Sequence, residues 1–269
     1  EELGKDDKIV GVAQGDDEFV DVVDMNLQKI VKLIKGPKNT KVRLEIIPAG
    51  ADPSDRKIVS LIRDEIKLTA NLARAEIIEV PRGDKIVPIG LLDLPSFYGG
   101  RGRSSSTSID IAELIGKLKK SDVKGLILDL RHNGGGLLSE AVKLTGLFIP
   151  QGPVVQVKDT TGRIKKHVDR DPKTVWDGPL MVLVSRYSAS ASEIVAGALQ
   201  DHKRAIIIGT QSFGKGSVQT IIPFQVSNSD NLTGIRLTTA RYYTPSGESI
   251  QGKGIVPDII IEQGEFESF

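Results

Sequence analysis

The sequence predicts an α/β protein with a small α+β module at its N-terminus. From about Ala70 onward, short apolar runs typical of buried strands alternate with segments of helical periodicity, which indicates a sheet buried on both faces. Before that point, half-buried strands of alternating pattern accompany one amphipathic helix. At 269 residues, the chain has room for one large domain and one small domain.

The N-terminal module contains one predicted helix and three predicted strands. The helix covers residues 26–34, because Leu27, Ile30, Val31 and Ile34 recur at helical spacing and a Gly-Pro pair follows. The strand over residues 41–47 alternates apolar and charged side chains. The other two strands cover residues 8–12 and 56–62. By default these apolar positions are interpreted as a core.

The larger segment is predicted to contain five strands with intervening helices. The strands cover residues 86–92, 125–130, 154–157, 180–184 and 205–208, and the helices cover residues 109–118, 138–147 and 192–199. Residues 101–108, rich in Gly, Arg and Ser, are predicted to form a flexible surface loop. Open α/β sheets bind ligands beyond the carboxyl ends of their strands. Three loops that follow strands are therefore candidates for a site: residues 131–136, 185–192 and 210–217.

The composition argues against several classes of function. A formal net charge of +1 leaves no excess of basic residues to neutralise nucleic-acid phosphates. The chain has no cysteine, and its three histidines lack metal-ligand spacing, so we expect no disulfide, no bound metal and no cofactor. No apolar run approaches the ~20 residues of a membrane span. Because the chain begins abruptly and without a signal peptide, we interpret it as a fragment of a longer precursor.

The first candidate loop, residues 131–136, has the sequence Arg-His-Asn-Gly-Gly-Gly. Three residues without Cβ atoms allow backbone N–H groups to point at an oxyanion, and the helix that follows adds positive potential. The GxxxxGK[ST] pattern of a phosphate-binding loop is absent. A tight strand-to-helix turn explains the glycines equally well, so this motif alone leaves both interpretations open.

The second loop places Ser188, Ser190 and Ser192 in alternation with alanine between a buried strand and a helix. A serine at such a sharp turn lies near the unpaired N–H groups of the helix. An N-cap is the competing interpretation, but capping requires only one serine. Spacing does not select among the three serines. Glu193 adds a favourable negative charge in the first helical turn.

The third loop contains Lys215 between two glycines. A lysine becomes a base when desolvation lowers its pKa below the ordinary value of ~10.4. A surface lysine in a glycine turn is the alternative interpretation. A histidine is the rival base: His132 lies beside the glycines of the first loop, whereas about twelve residues of helix, or ~18 Å, separate His202 from Ser190.

Together the motifs resemble those of the tail-specific or C-terminal processing proteases, which cleave proteins recognised by their C-terminal ends. The similarity extends over nearly the whole chain, and the combination is far more specific than any single motif. The matching stretches are LDLRHNGGG at 128–136, SASASE at 188–193, FGKGSVQ at 213–219, RYYTPSG at 241–247 and GIVPD at 254–258.

The resemblance implies a role for individual residues. Ser190, the middle serine, is the implied nucleophile, and Lys215 is the implied general base. Gln219 matches a polar residue that helps to position the lysine. Asp201 matches an acidic position that influences activity in some members.

The resemblance also implies an oxyanion hole and a fold. The backbone N–H groups of Gly136 and Ala191 would bind the oxyanion, and the family mechanism uses no histidine at the position of His132. The family fold is a crotonase/ClpP-like α/β protease core that carries a PDZ domain. We therefore expect a partial PDZ domain over residues 1–68, without its carboxylate-binding loop, and a Ser-Lys protease core over residues 69–269.

The expected partners are proteins with unstructured, apolar C-termini. These tails would bind by strand addition along the PDZ helix, where Leu27, Ile30 and Val31 would line the groove. An adaptor protein is a possible further partner, and the resemblance implies a location in the bacterial periplasm. Two alternative functions are a non-catalytic PDZ or crotonase-like peptide-binding module and a serine hydrolase with a histidine base.

Overall fold

The computed structural model of the chain describes residues 3–64, 72–99, 106–225 and 232–261. The chain divides into two compact units, Glu1–Leu68 and Thr69–Phe269. Each unit has an apolar core of its own, as a separate domain does. Within the described ranges, no helix has both the length and the apolar character needed to cross a membrane.

The smaller unit is an antiparallel sheet of four strands with one helix packed against it. Its elements are β1 (Lys8–Gln14), β2 (Val20–Asp21), α1 (Leu27–Ile34), β3 (Lys41–Ile47) and β4 (Lys57–Ile62), and the strand order is β2-β1-β3-β4. Alternation along β3 buries Val42, Leu44 and Ile46, whereas the charged residues between them are half-buried. Helix α1 begins after Asn26, whose side-chain oxygen accepts the N–H of Gln28.

The larger unit contains a mainly parallel sheet and an antiparallel sheet. In chain order, its elements are β5 (Arg74–Arg82), β6 (Lys85–Asp93), α2 (Thr107–Lys120), β7 (Gly125–Asp129), α3 (Leu138–Gly146), β8 (Gly152–Asp159), β9 (Ile164–Asp169), β10 (Leu180–Val184), α4 (Ala191–Asp201), β11 (Ile206–Gly209), β12 (Ser217–Gln225), β13 (Leu232–Tyr243) and β14 (Ile259–Ile260). Six strands form the order β14-β11-β10-β7-β6-β5, parallel apart from β5. The other four form the antiparallel order β12-β13-β8-β9. This architecture confirms the predicted α/β class.

The three helices of the larger unit share one core with one face of the six-stranded sheet. Leu126, Leu128 and Val182 turn toward that face and are buried with residues of α2, α3 and α4. Ile127 and Met181, which alternate with them along β7 and β10, are half-buried and lie outside this core. The sequence predicts a sheet buried on both faces. Among the described residues, only one face is covered by the helical core.

Several elements differ from the sequence prediction. The segment predicted as a buried strand at 154–157 is part of β8, which belongs to the antiparallel sheet. The strands β2, β5, β9, β12, β13 and β14 have no counterpart in the prediction. In the predicted loop at 101–108, residues 101–105 lie outside the described residues, and α2 already begins at Thr107.

Candidate active site

The three candidate loops meet at one edge of the parallel sheet. They follow β7, β10 and β11, which are neighbours in the sheet, so their carboxyl ends lie side by side. The N–H of Ala189 donates to the carbonyl of Asn133 at 3.1 Å. The N–H of Phe213 donates to the carbonyl of Ser188 at 3.0 Å. The serine loop is thus hydrogen-bonded to the glycine loop on one side and to the lysine loop on the other.

The three serines of the second loop have different environments. The Ser188 hydroxyl is fully buried and donates to the carbonyl of Leu130 at 2.7 Å. The Ser192 hydroxyl is also fully buried and donates to the carbonyl of Asn133 at 2.8 Å. Ser190 is only partly buried, and its hydroxyl donates to no acceptor in the described part of the chain. Ser188 therefore holds the serine loop to Leu130, directly before the first loop, and Ser192 holds it to Asn133 within that loop. Ser190 is left as the serine whose hydroxyl has no acceptor among the described residues.

The backbone of Ser190 is strained. Its φ is +58° and its ψ is −110°, at the junction between the serine loop and α4. A non-glycine residue in such a conformation costs about 1–3 kcal/mol and persists only where its surroundings impose it. A sharp strand-to-helix turn of this kind presents the nucleophilic serine in many hydrolases.

Glu193 joins the serine loop to the lysine loop. Its side chain is fully buried in the first turn of α4. One carboxylate oxygen accepts the N–H of Ser190 at 2.8 Å and the N–H of Lys215 at 2.9 Å. The other oxygen accepts the N–H of Gly214 and the hydroxyl of Ser212, both at 2.6 Å. A single carboxylate therefore holds the main chain at both residues that the family resemblance implies as the dyad.

Sequence reasoning does not identify Glu193 as a functional residue, because it treats the residue only as a favourable charge at a helix start. The sequence feature that could have identified it is its position three residues after Ser190, which is the spacing of a capping box. The contacts to the lysine loop join residues about twenty positions apart, and no local pattern predicts them.

Lys215 lies in a loop that is fixed along its main chain while its side chain is exposed. The N–H of Gly216 donates to the side-chain oxygen of Gln251 at 3.1 Å, and the N–H of Gly252 donates to the carbonyl of Gly214 at 2.9 Å. In the described part of the chain, the Lys215 ammonium makes no hydrogen bond or ion pair. The loop around Lys215 is therefore held in place, but among the described residues the side chains of Ser190 and Lys215 are not hydrogen-bonded to each other.

The glycines of the first loop lie directly against Ser190. A Cβ atom added to Gly135 would come within 2.8 Å of the Ser190 Cβ, so only glycine fits there. Gly136 forms a parallel bridge with Phe97, in which the flanking residues make the hydrogen bonds and the N–H of Gly136 points away from Phe97. Ala191 is the first residue of α4. Neither the Gly136 nor the Ala191 N–H has an acceptor among the described residues, so both are available to a ligand.

The two histidines near the motifs occupy different positions. His132 is exposed, and its ring stacks with Tyr187 at a centroid distance of 6.2 Å. The Nε2 atom of His202 lies 2.8 Å from the carbonyl oxygen of Pro153, at the other end of α4 from Ser190. No group of three or more metal-binding side chains occurs within the described ranges.

The two supporting residues implied by the resemblance make no hydrogen bond to Ser190 or Lys215 in the described part of the chain. The Asp201 carboxylate accepts the N–H of Ser246 at 2.7 Å, and this bond ties the end of α4 to the turn after β13. Gln219 is exposed on β12, four residues after Lys215 and opposite Thr238 of β13.

The three residues expected to line a PDZ groove fall into two groups. Leu27 and Val31 are exposed on α1, one helical turn apart, and Leu27 is 72% exposed. Ile30 is half-buried and packs against the core of the smaller unit. Of these three residues, Leu27 and Val31 therefore form an exposed apolar stripe on α1.

A parallel α/β core with a serine on a strained strand-to-helix turn, beside free backbone N–H groups, defines a serine hydrolase type of site. The chain belongs to peptidase family S41, whose sequence model matches residues 88–261. This match confirms the resemblance inferred from the motifs.

Proteins that are similar to this chain over most of its length are named as proteases. A tail-specific protease of Haemophilus influenzae is 43% identical over 256 residues, which cover 94% of this chain and 35% of the relative. A carboxy-terminal-processing protease of Bartonella bacilliformis is 45% identical over 264 residues, which cover 94% of this chain and 55% of the relative. The solved structure of a photosystem II D1 C-terminal processing protease superposes with a TM-score of 0.61 at 31% identity, over 95% of this chain and 63% of that one. The chain thus spans about a third to somewhat over half the length of these two curated relatives.

Proposed function

We propose that this chain carries the catalytic core of a serine endopeptidase in which Ser190 is the nucleophile and Lys215 is the general base. The main support is the carboxylate of Glu193, which accepts the main-chain N–H groups of both residues and so fixes their relative position. The strained backbone and available hydroxyl of Ser190 favour it over its two neighbouring serines. Membership of a peptidase family supports the same reaction.

In the proposed reaction, the neutral amine of Lys215 accepts the hydroxyl proton of Ser190 as the serine oxygen attacks the scissile carbonyl carbon. The N–H groups of Gly136 and Ala191 stabilise the oxyanion of the tetrahedral intermediate, and loss of one such donor lowers the rate by about 10²–10³-fold. The C–N bond then breaks, and the departing amine takes the proton from Lys215. Water, deprotonated by Lys215, attacks the carbonyl carbon of the acyl-enzyme. The ester C–O bond breaks, and Ser190 takes the proton back from Lys215, which restores the neutral amine.

The remaining two residues have indirect roles in this proposal. Gln219 lies on the strand that leaves the lysine loop and would help to orient the Lys215 side chain. Asp201 would act through the turn at Ser246, which precedes the segment that contacts the lysine loop through Gln251. Neither residue is placed in contact with substrate.

We expect the protein to cleave an unfolded protein that ends in apolar residues. The measurement is mass spectrometry of the products, which identifies each new N-terminus and C-terminus. A folded protein with the same tail is the matched control, since an extended backbone must enter the site. Binding of the unfolded protein without any cleavage would support the non-catalytic binding module instead.

For substrate selection, we propose that the smaller unit is part of a PDZ-like domain that captures apolar C-terminal tails by strand addition. The support is the exposed stripe of Leu27 and Val31 on α1, beside a small antiparallel sheet. Ile30 would support the helix from the core side. Delivery by an adaptor protein and a periplasmic location in a bacterium belong to the same proposal, and both curated relatives described above are bacterial.

We expect a peptide with a free apolar C-terminus to bind at least several-fold more tightly than its C-terminally amidated counterpart. The carboxylate and the last apolar side chains are the groups that distinguish a tail from an internal segment. Isothermal titration of the Ser190→Ala protein measures this difference without cleavage. Replacing Leu27 with Lys should reduce the preference, and equal affinity for the two peptides would contradict tail recognition by this chain.

A further inference from the structure

Strand β12 is an edge strand that leads directly out of the lysine loop. It begins at Ser217, two residues after Lys215, and pairs only with β13 in the sheet order β12-β13-β8-β9. Its other edge has no strand partner among the described residues. Half of the main-chain N–H and C=O groups of such a strand point outward and can accept another extended chain.

This edge lacks the charged side chains that often prevent pairing with other chains. Proteins protect exposed edges with charged side chains, especially lysine, or with short strands. The nine residues of β12 include no Asp, Glu, Lys or Arg. Ile221 and Ile222 are both exposed. Pro223 lacks an N–H and limits undisturbed pairing to residues 217–222, a length of roughly 20 Å.

We propose that this edge, residues 217–222, is the docking strand for the extended substrate segment next to the scissile bond. An incoming chain would add as an antiparallel strand, since antiparallel pairing is slightly more stable per residue than parallel pairing. This inference rests on the proposed peptidase function, and it adds a binding surface to the dyad. The occupant is an unfolded polypeptide, recognised through its main chain rather than through its side chains.

The direction of β12 determines which part of the substrate it binds. The strand runs away from Lys215, so an antiparallel substrate segment runs toward the dyad. The substrate residues N-terminal to the scissile bond, on its acyl side, therefore lie along β12. The residues C-terminal to the scissile bond extend beyond the dyad and do not pair with β12. Main-chain pairing also gives little sequence preference at these positions, which suits an enzyme that degrades varied unfolded chains.

A pair of directly opposed isoleucines provides a matched test. Ile222 on β12 and Ile235 on β13 face each other in the ladder and are 47% and 49% exposed. Because β13 pairs with β8 only over residues 240–243, Ile235 lies on the opposite edge of the same two-stranded segment. The Ile222→Lys change puts a lysine on the docking edge, whereas Ile235→Lys puts the same charge on the neighbouring strand. We expect Ile222→Lys to lower kcat/KM for an unfolded protein about tenfold, the loss of one or two main-chain hydrogen bonds. We expect Ile235→Lys to stay within about twofold; equal losses in the two variants would overturn the proposal.

Substrate peptides with single N-methylated main-chain positions test the same surface from the other side. If an acyl-side strand pairs with β12, N-methylation should lower kcat/KM at every second acyl-side position, because alternate N–H groups face the edge. Losses confined to the leaving side, or no losses at all, would contradict it.

Hydrogen exchange separates this inference from the proposed chemistry. In the Ser190→Ala protein with an unmodified peptide, we expect slower amide exchange over residues 217–222. This readout requires binding and no cleavage, so it remains informative if the wild-type protein cleaves nothing. Unchanged exchange across these residues at saturating peptide would exclude β12 as the docking strand.

Discussion

Replacing either Ser190 or Lys215 with Ala is expected to lower kcat for peptide-bond hydrolysis by about 10⁴-fold or more. The serine supplies the nucleophilic oxygen, and the lysine supplies the base that removes its proton. Because the two act in one step, the double variant should lose no more activity than the more severe single variant. Steady-state kinetics with one peptide substrate measure all three variants, and KM should change little because neither residue supplies most of the substrate binding.

Two further variants make this test specific. Lys124→Ala removes an exposed lysine at the opposite end of the parallel sheet, before β7, and should leave kcat unchanged. His132→Ala removes the rival base, which is exposed and stacked with Tyr187. Activity that survives Lys215→Ala but disappears in a folded His132→Ala protein would assign the base to the histidine.

The sequence predicts the central strands of the larger unit well because their environment is uniform. Strand β10 lies between β7 and β11 in the sheet, and the apolar run at 180–184 marks it without ambiguity. The predicted strand at 41–47 matches β3, where a single buried face produces strict alternation. Burial imposes the pattern in both cases, so the pattern is readable from the chain alone.

The edge strands β5 and β12 are harder to predict, because burial imposes no regular apolar pattern on them. All nine residues of β5 are exposed, so no face of that strand requires an apolar pattern. The exposed isoleucines of β12 follow each other without alternation, and its strand identity depends on pairing with β13. These strands are determined by hydrogen bonds to the next strand in the chain rather than by a periodic apolar pattern.

The position of the site could be predicted from the sequence, but the roles of its individual serines and of Glu193 could not. The rule that loops after parallel strands form ligand sites directs attention to the three loops. It does not distinguish Ser190 from Ser188 and Ser192, because that difference arises from a backbone conformation and from hydrogen bonds to the carbonyl groups of Leu130 and Asn133. The role of Glu193 likewise depends on contacts across about twenty residues.

Replacing Glu193 with Gln is expected to lower kcat by about 10²–10³-fold although Glu193 touches neither substrate nor the reacting atoms. The carboxylate accepts four hydrogen bonds, including those from Ser190 and Lys215. The amide group of glutamine would present hydrogens to two of those donors, and each unsatisfied buried donor costs about 1–3 kcal/mol. The loops would separate to relieve this conflict, and a displacement of about 1 Å between reacting groups can reduce the rate by 10²-fold. Stopped-flow or steady-state kinetics give kcat and KM, and KM should change much less than kcat.

A second buried glutamate separates this positioning effect from a general loss of stability. Glu140 is 2% exposed and accepts the N–H and hydroxyl of Ser108 and the ammonium of Lys143, in contacts that do not involve the dyad loops. Burial raises the pKa of Glu140, but these hydrogen bonds outweigh it and hold the pKa below its ordinary value. Glu140→Gln should therefore lower Tm to a degree similar to Glu193→Gln, while kcat at a temperature well below Tm stays within about twofold of wild type. If the two variants lose Tm equally and both retain kcat, Glu193 stabilises the fold without coupling Ser190 to Lys215.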